Sequence, residues 1–235
     1  MKNYVVKIID VKKITNNVNR IITERPIGYK FIPGQSTIIT EYKEGKVINR
    51  PYSFTGLTNA PTLEFLIKEY PENNINGSSV KLKKDDKLLI GKAQGNIQYK
   101  GMGTFIAGGT GIIPFIAIFR DLKQKKDLAG NKLIYSEKTY GDLILGDELE
   151  DMLGIEFIKV FTKERYKKFY FGRIDKDFLR MEIVDFVQNF YVCGPREFIQ
   201  NVVLMLKEFG VEEKYIIYER NNILVTNFRS EFENM

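Results

Sequence analysis

The stretch Thr104-Phe105-Ile106-Ala107-Gly108-Gly109-Thr110-Gly111-Ile112-Ile113-Pro114 decides how this chain is read. Thr104–Ala107 is a short apolar run with the length of a buried strand, and Pro114–Lys123 has helical spacing. Between them lie three glycines. Glycine lets backbone approach a pyrophosphate closely, and the free N–H groups of a helix start attract anions. The order is not Gly-x-Gly-x-x-Gly, and the Lys-Ser/Thr pair of a P-loop is missing. A tight strand-to-helix turn that needs φ > 0 explains the glycines equally simply. The strand-turn-helix context favours nucleotide binding.

Downstream, strands and helices alternate. Strands are expected at Lys132–Ser136, Glu156–Phe161, Phe190–Cys193 and Tyr215–Tyr218, and helices at Asp147–Leu153, Asp175–Arg180 and Pro195–Phe209. Such alternation implies βαβ units and a parallel sheet. Upstream the punctuation differs. Val5–Val11, Arg20–Thr23, Ser36–Tyr42, Leu63–Glu69 and Lys87–Gly91 are short, alternating or β-branched segments. Turn signals at Pro33-Gly34, Glu44-Gly45, Asn59-Ala60-Pro61 and Asp85-Asp86 separate them, as in an antiparallel barrel. Glu72–Ser79 reads as a polar loop leading into a short helix. The expected organisation is therefore two domains: an N-terminal antiparallel β-barrel over 1–100 and a C-terminal α/β parallel-sheet nucleotide-binding domain over 101–219. They join near Ile97–Gly103, and residues 220–235 form a tail.

Composition narrows the chemistry. Of 235 residues, 43% are hydrophobic and 28% charged, enough to bury a core in a soluble globule. No apolar run is long enough to span a bilayer, so no membrane insertion is expected. Cys193 is the single cysteine, which excludes an internal disulfide and a four-thiolate iron–sulfur cluster and suits a cytoplasmic location. There is no histidine, so Ser-His triads are excluded and most zinc sites with them. No metal is expected. An enzyme without the commonest general base draws its hard chemistry from a cofactor. The net charge of +6 fits an acidic partner, or simply a soluble surface. No basic stripe interleaved with aromatics points to nucleic acid.

Two further motifs are modest alone. Arg50-Pro51-Tyr52-Ser53 offers a cation for phosphate, a ring for stacking and a hydroxyl for a ring heteroatom, but an ordinary Pro-containing turn accounts for it too. Cys193-Gly194-Pro195 follows an apolar strand, with Pro195 suited to the first helical turn, and reads equally as a buried strand end.

Taken in order, Arg50–Ser53, Gly108–Pro114 and Cys193–Pro195 make the chain resemble the ferredoxin–NADP⁺ reductase superfamily, in particular its small bacterial flavodoxin/ferredoxin reductase-like members, over roughly residues 3–219. The resemblance implies a flavin-binding barrel, a pyridine-nucleotide domain, and FAD and NAD(P)H as cofactors. It implies that Arg50 contacts the flavin pyrophosphate, Tyr52 stacks on the isoalloxazine and Ser53 sits near its N5. Phe65–Tyr70, Ile67 and Lys68 among them, would line the flavin side of the barrel. Gly109, Thr110, Gly111 and Pro114 would hold the nicotinamide nucleotide with Gly194 and Pro195. Cys193 would lie near hydride transfer and Glu219 would close the site.

The chain departs from the family in its phosphate loop. Asn76, or Ser79 after a one-turn shift, stands at the usual Ser/Thr position, with Gly77 and Ser78 still able to present amides and polar groups. Ser136 and Lys138 fall where relatives meet the adenosine ribose. Lys138 could meet a 2′-phosphate that Glu137 would repel, so NADH and NADPH are both left open.

The implied activity is hydride transfer from NAD(P)H to FAD, then single electrons to an acidic carrier such as flavodoxin or ferredoxin. The alternatives are a reductase component of an oxygenase or other multi-component redox system, and a non-catalytic flavin- or nucleotide-binding module. Lys30, Lys43 and Lys46 are candidate carrier contacts. An aromatic residue of the 220–235 tail could cover the flavin.

Overall fold

The computed structural model describes residues 3–43, 46–69 and 82–219. The expected loop and short helix at 72–79, with Asn76, Gly77, Ser78 and Ser79, and the tail 220–235 lie outside the described residues.

The first half is a six-stranded antiparallel sheet: β1 (Tyr4–Thr15), β2 (Val18–Glu24), β3 (Ser36–Lys43), β4 (Lys46–Ser53), β5 (Thr62–Lys68) and β6 (Lys87–Ile90). Their spatial order is β4-β3-β6-β1-β2-β5. A bridge between Phe54 and Phe65 brings the two outer strands together, and Thr55 N–H donates to the Glu64 carbonyl at 3.0 Å beside it. The sheet thus curls into a barrel around Val6, Ile8, Ile21, Ile39, Phe54, Phe65 and Ile90.

β4 is the strand that sequence patterning obscures. Arg50–Ser53 reads as the junction of two strands, but it is the second half of β4, paired with β3 from Ser36↔Ser53 to Ile39↔Arg50. Pro51 breaks the strand signal, yet it is tolerated because β4 ends the ladder and needs no donor on its outer side.

The second half carries β7 (Gly103–Gly108), α1 (Ile113–Lys125), β8 (Lys132–Glu137), α2 (Gly146–Leu153), β9 (Phe157–Phe161), β10 (Tyr170–Phe171), α3 (Lys176–Glu182), β11 (Asn189–Cys193), α4 (Arg196–Glu208) and β12 (Ile216–Tyr218). The six strands form one parallel sheet in the order β10-β9-β8-β7-β11-β12. The two-residue β10 was not expected; a segment so short has no readable period. Helices α1 and α2 cover one face through Phe115, Phe119, Leu122, Leu149 and Leu153. Helices α3 and α4 cover the other through Phe178, Leu179, Ile199, Val202 and Leu206. This doubly covered sheet explains the near-continuous apolar strands β7 and β11.

Two helix starts differ from the sequence reading. A 3₁₀ turn over Gly109–Ile112 precedes α1, so Pro114 lies in the first turn proper. Pro195 is not inside α4. It caps the helix with φ −56° and ψ 150°, and its carbonyl accepts the Ile199 N–H at 3.0 Å.

The linker between β6 and β7 is held by the sheet. The Tyr191 hydroxyl donates to the Gly101 carbonyl and accepts the Lys100 N–H, both at 2.7 Å. Its ring stacks on Phe105 at 4.1 Å. Among the described residues, no helix is long and apolar enough to cross a membrane.

Candidate active site

In an open parallel sheet, ligands bind beyond the carboxyl ends of the strands, where the strand order reverses. Here that point lies between β7, whose chain turns toward β8, and β11, which leads to β12. The two glycine motifs of the sequence sit at those two strand ends. They are locked together. A Cβ on Gly111 would stand 2.1 Å from the Cys193 carbonyl oxygen, and one on Gly194 would stand 2.7 Å from the Phe198 ring. Gly109 alone of Gly108, Gly109 and Gly111 has a left-handed backbone, at φ +57°. Turn geometry therefore accounts for Gly109, and close packing against the Cys193 backbone accounts for Gly111.

Facing this wall is the barrel, and between them runs a cleft of about 510 Å³. From the barrel come Arg50, Pro51, Tyr52, Ser53 and Lys68. From the sheet come Thr110, Gly111, Pro114, Cys193, Gly194, Pro195 and Glu219. Three segments far apart in sequence thus meet in one cavity. Leu66, within the expected stretch Phe65–Tyr70, and Ile113, within the Gly108–Pro114 motif, also line it, and Gly34, Ser36 and Ile97 complete the lining without having been named as site residues from sequence. Strand alternation puts Leu66 on one face with Lys68. Gly34 looked like a turn residue; its φ is +92°, and a Cβ there would stand 2.3 Å from the Ile97 carbonyl.

The other expected site residues lie elsewhere. The Ile67 side chain, 3% exposed, packs inside the barrel, because alternation turns it away from the face of Leu66 and Lys68. Gly109 borders the loop without lining the cleft. Ser136 is buried at the end of β8, paired in register with Gly108, while Lys138 is exposed. Glu137 between them turns inward. Its carboxylate accepts from the Tyr135 hydroxyl at 3.3 Å and the Lys138 N–H at 3.1 Å. Burial raises its pKa, against the pull of these bonds and of the Lys68 charge. Lys30 lines a neighbouring groove with Lys92, and Lys43 pairs with Lys46 at the end of the β3–β4 ladder.

Cys193 is half-buried, and burial together with the nearby Glu219 charge pushes its thiol up to about 12. It is a neutral S–H at physiological pH, not a nucleophilic thiolate. Glu219 reaches from beyond β12 to the barrel, where a Cβ on Gly95 would lie 3.1 Å from its Oε1 and 3.6 Å from Ser36 Oγ. No cluster of three or more metal-ligating side chains occurs among the described residues.

A second charged group crosses between the domains. Arg120 of α1 holds Glu148 of α2 through Nε at 2.5 Å and Nη2 at 2.8 Å. Its Nη1 donates to the Thr55 carbonyl at 2.9 Å and to Glu64 Oε1 at 2.5 Å, both in the barrel. Glu64 also accepts from the Thr55 hydroxyl at 2.9 Å and from Arg20 at 2.8 Å. Burial opposes its ionisation, but Arg120, Thr55 and Arg20 together hold its carboxyl below the usual value.

The cleft suits a flat heteroaromatic dinucleotide. Arg50 and Lys68 supply cations, Tyr52 a ring, Leu66, Ile97 and Ile113 an apolar floor, and Ser36, Ser53 and Thr110 hydroxyls. Comparison with known proteins agrees. Residues 105–203 match the oxidoreductase NAD-binding domain family. The chain is 28% identical over 186 residues to NADH-cytochrome b5 reductase 2 of Candida glabrata, covering 71% of this chain and 62% of that protein. It is 27% identical over 179 residues to the flavodoxin/ferredoxin–NADP reductase of Buchnera aphidicola subsp. Baizongia pistaciae, covering 73% and 70%. The structure of a ferredoxin NADP⁺ reductase from Neisseria gonorrhoeae with bound FAD and NADP superposes with a TM-score of 0.78 at 22% identity, covering 89% of this chain and 92% of the other. Together these findings support the ferredoxin–NADP⁺ reductase superfamily as the group this chain is similar to.

Proposed function

We propose that this protein is an FAD-dependent NAD(P)H oxidoreductase that passes electrons to an acidic carrier such as a flavodoxin or ferredoxin. The observation that carries this reading is the meeting of Arg50–Ser53, Thr110-Gly111, Cys193–Pro195 and Glu219 in one interdomain cleft. FAD held there by these residues would supply the redox chemistry, hydride acceptance from a reduced nicotinamide and electron release to an acceptor.

The side chains then have roles of placement. Arg50 and Lys68 neutralise phosphate, and Tyr52 covers a ring face. The Ser53 hydroxyl, which lines the cleft, would supply a donor to the flavin atom that gains charge. The neutral Cys193 thiol, which lines the cleft, would offer a ring bound there an uncharged contact. Glu219, close to Gly95, would close the cleft from the sheet side and limit water. Hydride transfer of this kind needs alignment rather than a general base, which accords with the absence of histidine.

The test is anaerobic titration of the FAD-loaded protein with NADH and with NADPH, followed by flavin absorbance. Bleaching by either supports the reading. A purified protein that neither carries flavin nor takes up FAD sinks it. Relatives named for cytochrome b5 as well as for ferredoxin make the acceptor a separate question. It is answered by comparing turnover with flavodoxin, ferredoxin and a small haem carrier.

A further inference from the structure

Among the described residues, the contacts that join the two domains include the linker between β6 and β7, an apolar seam, Glu219 and Arg120. The seam places Val18, Leu66 and Ile97 of the barrel half against the α1 core. Apolar burial is non-directional; it holds surfaces together without fixing their angle. The bonds of Arg120 are directional. A guanidinium presents a rigid planar fork, and here one edge lies on Glu148 while the other reaches Thr55 and Glu64.

Both ends of this contact are tied to the cleft. On the barrel side, Thr55 follows Ser53 by two residues, at the Phe54–Phe65 bridge. Glu64 is two residues from Leu66 on β5, and Leu66 lines the cleft with Lys68. On the sheet side, Arg120 rides on the helix whose first residues, Ile113 and Pro114, also line the cleft. Seven residues of helix, a rigid arm of about 10 Å, separate Arg120 from Ile113. An Arg120 bond that shifts moves the Arg50–Ser53 wall relative to the Thr110-Gly111 wall.

We propose that Arg120 is a positioning residue: through Thr55 and Glu64 it sets the alignment of the two cleft walls that hydride transfer requires. The proposal rests on the oxidoreductase reading above. Arg120 lies outside the cleft lining. It acts by holding the site's halves in register, and a misplacement of about 1 Å costs on the order of 100-fold in rate.

Three variants of the FAD-loaded protein test it. Arg120→Gln removes the cation and the fork. Arg120→Lys keeps the charge and loses the fork. Glu148→Gln loosens only the α1–α2 side. The expected result for Arg120→Lys is cooperative unfolding, FAD affinity within about twofold of the parent, and a single-turnover limiting rate of flavin reduction lowered about 10- to 100-fold. Arg120→Gln should lose at least as much, and Glu148→Gln clearly less. Hydrogen exchange gives a readout independent of turnover: amides at 54–56 and 64–66 should lose protection in Arg120→Gln while those of β8 and β9 keep theirs. Folded, FAD-loaded Arg120 variants that reduce flavin at the parent rate overturn the proposal. So does a rate loss that merely follows release of FAD. If the parent flavin is reduced by neither nicotinamide, the functional reading fails. In that case exchange still decides whether Arg120 sets the domain register, and unchanged protection at 54–56 and 64–66 refutes it.

Discussion

The two walls of the cleft are made of different material. The sheet wall is built on close backbone approach: Gly111 lies so near the Cys193 carbonyl, and Gly194 so near the Phe198 ring, that a side chain at either is sterically barred. The barrel wall is mainly side chain: Arg50, Tyr52, Ser53 and Lys68 stand on strands that would form with many other residues in their place. Their charge differs as well. The first 100 residues hold 17 Lys and Arg against 9 Asp and Glu, while the remaining 135 hold 19 against 21. A backbone wall fixes geometry, and changing it should damage the fold. A side-chain wall sets chemistry and charge, and changing it should alter function with the fold intact.

Gly111→Ala should break this comparison most visibly if it is wrong. The new Cβ would lie 2.1 Å from a backbone carbonyl, which cannot rotate away. A cost above about 3 kcal/mol is expected, with loss of nicotinamide-driven reduction. Gly154→Ala is the control, since Gly154 has φ +54° but open space around it. It should cost about 1–3 kcal/mol, from backbone conformation alone. Thermal unfolding of the two variants checks the ranking; equal destabilisation would show that close packing is not what the sheet wall requires.

The seam between the walls comes next. Glu64→Gln removes the carboxylate that Arg120 and Arg20 share, while Arg120 keeps Glu148, and should destabilise by roughly 1–3 kcal/mol. Because the folded pKa of Glu64 lies below its ordinary value of 4.5, its contribution is complete above that pH. The contribution disappears as pH falls through the lowered value. The parent should therefore lose stability in acid more steeply than Glu64→Gln. Glu137 titrates the other way. Its raised pKa means that ionisation near neutral pH opposes folding, and the penalty lifts as pH falls toward 4.5. Glu137→Gln should raise Tm near neutral pH, while Glu64→Gln lowers it.

How much of this was legible in the chain follows the same division. The sheet domain was read nearly element by element, because buried parallel strands and amphipathic helices leave strong local periods. The glycine motifs at its strand ends stood out for the same reason. The barrel was harder. Pro51 hid β4, and pairing partners such as Ser36 and Ser53 are set by the fold rather than by neighbours in sequence. Arg120 was invisible. One arginine on a helical face reads as solvated surface until the barrel is packed against it, and Glu64 reads as an ordinary outward residue of an alternating strand. The Cys193 and Glu219 juxtaposition likewise depends on how β11 and β12 end beside each other.

Among the side chains of the barrel wall, Ser53→Ala should leave FAD content unchanged and slow flavin reduction about 100-fold, the usual loss for one well-aimed donor. Tyr52→Ala should do the reverse, weakening FAD retention about tenfold through loss of a stacked ring, with a smaller effect on rate in the loaded fraction. Single-turnover reduction and FAD titration separate the two. If both variants changed only FAD affinity, the barrel wall would be a binding surface with no part in the transfer.

The smallest effect concerns the asymmetry of charge. A basic barrel half joined to a slightly acidic partner domain gives the molecule a field that points an acidic carrier toward one side. Steering acts on encounter and is screened by salt, with a Debye length of about 10 Å at 0.1 M. Turnover with an acidic carrier should fall about tenfold or more as salt rises, through the association step and not through flavin reduction. Ferricyanide needs no docked protein, and its small-anion attraction should respond less. Exposed Lys30 and Lys92, which share a groove on the barrel, are the charges to reverse. Lys30→Glu with Lys92→Glu should flatten the salt curve for the carrier while leaving ferricyanide turnover near the parent value. An equal salt slope for both acceptors in the parent would mean that the barrel's charge serves solubility, and that the acceptor is recognised by contacts other than its charge.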